Sequence, residues 1–372
     1  MTPDWSAAAP LPTLLVIPTG IGCEQGGYAG DGLPVARLLA AASGCLITHP
    51  NVMNGAALYW SDPRIHYVEG SALNRFASGE LALQPVRRQR VGLLLDAGME
   101  PELRQRHLQV ADACRATLGL EIGPVATTEE PLGVNLQLAA SGASWGGLER
   151  PDVLLRAGER LVAAGATAIA VVARFPEDPH SEALAAYRQG SGVDALAGAE
   201  AVISHLLSRQ LAIPCAHAPA LSPLPLDPAL DPRAAGEELG YTFLPCVLVG
   251  LSRAPRLVPL GPPSPSSSPS PSPPHSPAAP FASASFAHYP LLHPEHLGAV
   301  VAPAGALGGE AVLRCAERGV PLIAVHNPCL LEVTAEALGL DALTASSYAE
   351  AAGWVLALRE GVSSASLQRP LR

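Results

Sequence analysis

The sequence predicts an α/β fold with a largely parallel sheet and helices on both faces, on three observations. Short β-rich runs alternate with Ala/Leu-rich amphipathic runs along the 372 residues. Hydrophobic residues make up 48% and aromatics only 4%, so Ala, Leu and Val must fill the core, as they do where helices lie on a parallel sheet. Runs such as AIAVVA at 168–173 are apolar throughout, which marks a strand covered on both faces. The length suits two compact units or one large domain. Two Rossmann-like halves are one arrangement the pattern allows.

The elements follow in order. Leu14–Pro18 reads as a buried strand, followed by a glycine-rich loop and a helix near Leu33–Ala42. Strands are expected at Cys45–Thr48, Ile65–Val68 and Gly92–Asp96, with a long helix over Glu102–Leu118. A helix at Val153–Ala164 leads into the strand Ala168–Ala173. A helix at Leu196–Arg209 leads into a strand at Ile213–Ala216. Ala299–Ala302, a helix near Gly309–Arg318 and Pro321–Val325 repeat the alternation, which favours right-handed parallel crossovers. VIPTGIG at Val16–Gly22 is echoed by VAPAGAL at Val301–Leu307, so two halves of similar plan would present two equivalent loops.

The division expected from this pattern is an N-terminal α/β half with the Gly-rich loop at 1–150 and a second α/β half at 151–261 and 281–372. Residues 262–280, PPSPSSSPSPSPPHSPAAP, carry nine prolines and seven serines. Such a stretch builds neither strand nor helix and is expected to be a disordered, solvated insertion. A Pro-rich ligand for a partner domain is the alternative. The part beyond it can also complete the same sheet as the N-terminal part.

A net charge of −10 argues against nucleic-acid and acidic-membrane partners. All 23 basic residues are arginine. That excludes a lysine Schiff base and a Walker-type lysine. Seven cysteines, at 23, 45, 114, 215, 246, 315 and 329, form no C-x-x-C, so a reducing compartment is expected over a disulfide framework or zinc site. The opening MTPDWSAAAPLPTLLVIP lacks the basic region of a signal peptide, and no apolar run reaches the roughly 18 residues of a membrane span. A cytoplasmic location is expected, and a homo-oligomer is left open.

The strongest candidate for a ligand site is Pro18–Pro34, PTGIGCEQGGYAGDGLP, with glycines at 20, 22, 26, 27, 30 and 32. Glycines after a strand let a ligand approach the backbone, and the following helix offers N–H groups to an anion. The spacing is G-x-G-x-x-x-G, not the dinucleotide fingerprint. Either Gly20, Gly22, Gly26, Gly27 and Asp31 cradle a small anion, or the stretch is a long turn with Asp31 as N-cap. Cys23 is a candidate nucleophile or a buried structural thiol. Glu24 is a candidate base.

THPNVMNG at 48–55 adds His49 for proton transfer and Asn51 and Asn54 for orienting a carbonyl, or else a cap and a packed histidine. VARFPEDPH at 172–180 offers Arg174 as a clamp for a carboxylate or phosphate, and Glu177, Asp178 and His180 as ion ligands or as an ordinary acidic loop. Asn135, the glycine-rich Ser141–Gly147, Asp96, His217 and Asn327 are further strand-end or loop candidates. HPEH at 293–296 is read against a metal, and no metal or cofactor is assigned.

The run from residue 18 to 60, PTGIGCEQGGYAGDGLPVARLLAAASGCLITHPNVMNGAALYW, with VVARFPEDP and GGEAVLRCAERGVPLIAVHNP, resembles an uncharacterised family of cyanobacterial and plant-plastid proteins, a domain of unknown function numbered 3326. The likeness covers most of the chain except the Pro/Ser stretch, which departs from the family's pattern and leaves the length of that loop open. It implies a cyanobacterial cytoplasm and transfers no catalytic residue. The leading expectation is an enzyme acting on a small carboxylated or phosphorylated metabolite. The alternative is a non-catalytic metabolite-binding or regulatory protein, and a scaffold recruited through residues 262–280 is a third.

Overall fold

The computed structural model describes residues 9–55, 62–240, 242–261 and 291–367. The predicted Pro/Ser insertion at 262–280 lies outside the described residues.

Two parallel sheets make the frame. The first has six strands, in the order β14-β13-β12-β1-β2-β3. These are β1 (Thr13–Leu15), β2 (Leu46–Thr48), β3 (Ile65–Tyr67), β12 (Ala299–Pro303), β13 (Leu322–Val325) and β14 (Leu343–Ala345). The second has four, in the order β10-β9-β5-β6, from β5 (Val91–Leu95), β6 (Ile122–Thr127), β9 (Ala168–Arg174) and β10 (Cys215–Ala220). Two antiparallel pairs complete the strands: β4 (Leu81–Gln84) with β11 (Arg256–Pro259), and β7 (Val134–Leu138) with β8 (Ser144–Leu148).

Each sheet is covered on both faces, as the apolar strand runs predict. Helices Leu33–Ser43 and Tyr348–Arg359 pack on one face of the first sheet through Ala36, Leu39, Ala351 and Val355, all fully buried. Gly70–Ala77 and Glu310–Glu317 cover the other with Phe76 and Val312. On the second sheet, Pro101–Leu118 and Leu244–Ser252 lie opposite Pro151–Ala163 and Ala197–Leu211. Among the described residues Phe76 and Phe175 are the fully buried phenylalanines, and mostly aliphatic side chains fill the rest. The fold is therefore α/β with two Rossmann-like layers.

The strand grouping does not follow a division at residue 150. Strands β12 to β14 join β1 to β3, while β5, β6, β9 and β10, drawn from both sides of residue 150, form a sheet of their own. The reason is pairing: β1 lies between β2 and β12, with Leu14 opposite Ile47 and Val300. The echoed VIPTG and VAPAG runs are thus adjacent strand ends of one sheet, joined by Val16 N–H to Val301 O at 3.0 Å, and do not belong to two equivalent halves. The second lobe is built on strands drawn from residues 91–220, with the helix Leu244–Ser252 packed on it.

Candidate functional site

Parallel strands bring their carboxyl ends to one edge, so the loops that follow β1, β2 and β13 gather there. The glycine loop after β1 is closed largely by the chain itself. Asp31 does not cap the helix Leu33–Ser43, whose N-cap is Gly32 without a side-chain bond. Its carboxylate turns back and accepts from Tyr28 N at 3.2 Å. The cradle expected for a ligand anion holds the chain's own anion. Burial pushes the Asp31 carboxyl up to about 6 despite this bond.

The neighbouring candidates hold the loop in shape. His49 Nε2 accepts from Ile17 N at 3.1 Å, and burial lowers its pKa to about 4, so a neutral acceptor ring fixes the strand exit. Asn51 donates to Gly26 O at 3.3 Å, and its own carbonyl accepts from Gly30 N at 2.8 Å. Asn54 Oδ1 accepts from the Tyr67 hydroxyl at 3.0 Å. Asn327 takes the Gln25 peptide on both sides, accepting from its N–H at 3.0 Å and donating to its carbonyl at 2.8 Å, and donates to Tyr348 at 3.0 Å. Gly30, at φ 89°, must be glycine, because a Cβ there would overlap the Asn54 carbonyl oxygen.

Cys23 lacks the environment of a nucleophile. Its side chain is 2% exposed, and burial together with Cys329 raises the thiol well above its ordinary range. Glu24 is exposed and enters the network through its backbone, with N–H to Pro328 O at 2.9 Å. Arg174 stands at the end of β9, where Glu100, at 2.9 Å, and Glu177, at 2.8 Å, occupy its fork. Among the described residues no bond joins Arg174 to the glycine loop, so it does not meet Gly20–Gly27 as the expected clamp. Asp96 ties the second sheet together, accepting from Gly98, Leu132 and Arg174 amides within 3.0 Å. Asn135 sits in β7 opposite Gly147.

The glycine loop meets the second lobe along two stretches. At the β7–β8 hairpin, Ser144 N–H donates to Gly20 O at 2.8 Å, and Ser144 Oγ donates to Ala195 O at 3.1 Å. A Cβ on Gly22 would lie 3.0 Å from Gly192 O. Beyond β9, Tyr28 stacks on Tyr187 with ring centroids 4.3 Å apart and donates its hydroxyl to Tyr187 O at 2.7 Å. Arg233 lies 4.6 Å over the Tyr28 ring and donates to Glu24 O at 3.0 Å and Gly190 O at 2.9 Å.

Behind this contact lies a cluster of ionisable side chains. Glu237 Oε2 accepts from the Tyr187 hydroxyl at 2.6 Å and from Ala29 N at 3.3 Å. Burial, with the charge of Asp194 second, pushes Glu237 up to about 8. Asp194 precedes the helix Ala197–Leu211 and accepts from Leu196 N at 2.8 Å. Burial and the Glu200 charge push it up to about 7. His217 joins from β10, its Nε2 3.4 Å from Glu200 and its Nδ1 2.8 Å from Ser204 Oγ. At neutral pH such carboxyls hold or share protons and donate hydrogen bonds, which ordinary surface carboxylates cannot.

Sequence reasoning named His217 and missed Tyr187, Asp194, Glu200, Arg233 and Glu237. The signal available was the glycine-rich YRQGSGVD run ahead of a helix and the DPR turn at Asp231, both loops following strands of the second sheet. Among the described residues no group of three His, Cys, Asp or Glu side chains is arranged to hold a metal ion. Among them, too, no helix is long and apolar enough to cross a membrane.

The family profile described as "Protein of unknown function (DUF3326)" matches residues 12–368. This chain belongs to the DUF3326 family. It is similar to a cyanobacterial protein of Synechococcus sp. named an uncharacterised lipoprotein, at 52% identity over 358 residues, covering 96% of this chain and 93% of the relative. No solved structure matches the DUF3326 chain. The residues that shape the glycine loop, from Ile17 to Tyr348, and those of the carboxyl cluster all fall inside the matched span.

Proposed function

We propose that the chain is an enzyme performing general acid–base chemistry on a small anionic metabolite, carboxylated or phosphorylated, between the two lobes. One observation carries this reading: Glu237 and Asp194 are enclosed at the inter-lobe contact, with Tyr187 bonded to Glu237 and a His217–Glu200 pair beside them. A carboxyl that keeps its proton near neutral pH is matched to donate it to developing negative charge. Arg233, placed over Tyr28, carries the positive charge, and the anion would have to compete for it with Asp231, 3.0 Å away. Catalysis then rests on Glu237 and Asp194, while Cys23, His49 and Asn327 shape the loop.

The alternative, a binding protein without catalysis, is favoured by one feature: the Cys23 thiol is buried and held well above its ordinary range, so the glycine loop offers no activated nucleophile. Location is a separate matter. Seven free cysteines support a reducing cytoplasm, whereas the relative's name supports membrane attachment, and cell fractionation separates the two.

A thermal-shift screen with carboxylated and phosphorylated metabolites tests the reading. A ligand at 100 times its Kd stabilises by about 2.7 kcal/mol. Its affinity should change between pH 7 and pH 9 in the wild type and lose that dependence in Glu237→Gln. A panel without a hit, or a hit indifferent to both Glu237→Gln and Asp194→Asn, overturns it.

A further inference from the structure

One cavity lies apart from the carboxyl cluster. It measures about 720 Å³ and lies at the free edge of the six-stranded sheet, between β3 and the helix Leu244–Ser252. That size falls within the roughly 300–1,000 Å³ of small-molecule sites. Its wall is mostly apolar, with Met53, Pro85, Val249 and Leu292 among the lining groups. The wall is also built closely: Tyr67 is anchored to Asn54 at 3.0 Å, and a Cβ on Gly250 would fall 2.5 Å from the Tyr67 ring. Helix and strand approach each other there only because residue 250 is glycine.

His66, in the middle of β3, lines this cavity. Its ring is enclosed by protein yet keeps some accessible surface, as a ring facing a cavity does. No hydrogen bond or ion pair reaches the ring from any described residue. A ligand with a hydrogen-bonding group at this wall would give the ring the partner it lacks. Burial holds the ring neutral, with its pKa lowered to about 4, so it presents one N–H donor and one nitrogen acceptor. The charged lining residues are already matched. Asp62 pairs with Arg64 at 2.6 Å, and Arg87 and Arg253 have partners of their own.

From this arrangement we infer a second binding site, distinct from the inter-lobe cluster, for a largely apolar small molecule carrying one neutral hydroxyl or carbonyl group. The apolar body fills the cavity between β3 and Leu244–Ser252, and the polar group bonds to the His66 ring. A carboxylate head is disfavoured, because Asp62 shares the wall and both arginines are engaged.

Binding of 1-decanol and of sodium decanoate to the full chain tests this, read by displacement of the neutral dye Nile red and by melting temperature. The wild type should bind Nile red, release it to 1-decanol, and prefer decanol to decanoate. His66→Leu preserves the apolar volume and should bind decanol about tenfold more weakly while still taking the dye. Val249→Trp, which fills the space, should lose both. Should His66→Leu fail to fold, imidazole resonances of the wild type give the answer: one must shift as decanol is added. Equal decanol affinity in wild type and His66→Leu, preference for decanoate, no dye or decanol binding, or unmoved ring resonances each overturn the inference.

Discussion

The Tyr187 hydroxyl donates to Glu237 Oε2 across 2.6 Å, and the same Tyr187 ring stacks on Tyr28 of the glycine loop. One tyrosine therefore connects the buried carboxyl of the second lobe to the loop of the first. Removing its hydroxyl should be felt on both sides. Tyr187→Phe keeps the stack and deletes a bond to a group that shares charge with Asp194. The expected cost is about 1–2 kcal/mol in denaturant unfolding, with less protection of the Tyr28–Gly30 amides from hydrogen exchange. An unchanged midpoint and unchanged exchange would show that the lobes do not communicate through this bond.

Stability should fall on the alkaline side of neutrality, and the sign follows from proton binding. Asp31, Asp194 and Glu237 are pushed up to about 6, 7 and 8, so the folded chain binds protons that the unfolded chain has released. Their contribution is complete below the ordinary carboxyl range and is lost as pH rises through those values. His49 and His66, both lowered to about 4, act in the opposite sense, and their contribution disappears as pH falls from about 6.5. The two effects oppose each other between about pH 4 and 6.5, and above that the loss from the carboxyls stands alone. Glu237→Gln should flatten the fall in melting temperature between pH 6.5 and 8 by a few degrees. A melting curve equally steep at pH 8 in both proteins contradicts the assignment.

His49 is assigned to structure, not to proton transfer. Replacing it by leucine strands the Ile17 amide in the core, at a cost of about 1–3 kcal/mol. Ligand affinity, once a ligand is found, should be preserved in the folded fraction. Calorimetric unfolding beside a binding isotherm separates the two.

Asn327 makes three bonds, two to Gln25 and one to Tyr348. Asn327→Ala should cost about 2–3 kcal/mol and open residues 23–27 to exchange, because it removes the two side-chain bonds to the Gln25 peptide that help join the glycine loop to the end of β13. Protection unchanged at these amides would mean that other contacts hold the loop.

Two glycines make a controlled pair. Gly30, at φ 89°, has no room for a Cβ beside the Asn54 carbonyl, whereas Gly119, at φ 66°, has nothing within 4 Å. Gly119→Ala should cost only the left-handed backbone penalty of about 1–2 kcal/mol. Gly30→Ala should exceed it clearly, because the loop backbone must shift. Chemical denaturation of both variants gives the comparison.

Fold class was legible because it depends on patterning that covers whole elements. AIAVVA, GLLLD and the Ala/Leu helices declare buried parallel strands and crossovers without reference to neighbours. Which strands share a sheet was less legible. The return of β12 to the side of β1 joins residues nearly 290 positions apart; the expectation that the C-terminal part completes the N-terminal sheet allowed it, while the VIPTG and VAPAG echo pointed instead to two equivalent halves. The β7–β8 hairpin was hidden by its own composition, since Ser141–Gly147 reads as loop when the strand side chains are small. Candidate residues at strand ends were found by rule, and His49, Asn51, Asn54 and Asn327 prove to lie in one loop network. Their roles were not legible, because a sequence shows which groups are polar and not whether the backbone already uses them. Asp194 and Glu237 were missed for the related reason that an acidic residue in a polar loop looks solvated until burial is known.

Acid–base chemistry between the lobes requires above all that Glu237 hold its proton at neutral pH beside Tyr187. Carbon-13 NMR of the glutamate side-chain carboxyls, with Glu237 assigned by its loss in Glu237→Gln, measures this directly. The carboxyl resonance should titrate with a midpoint near 8, and that midpoint should fall when Asp194 is replaced by asparagine. A midpoint in the ordinary range near 4.5, unmoved by Asp194→Asn, would contradict the acid–base reading.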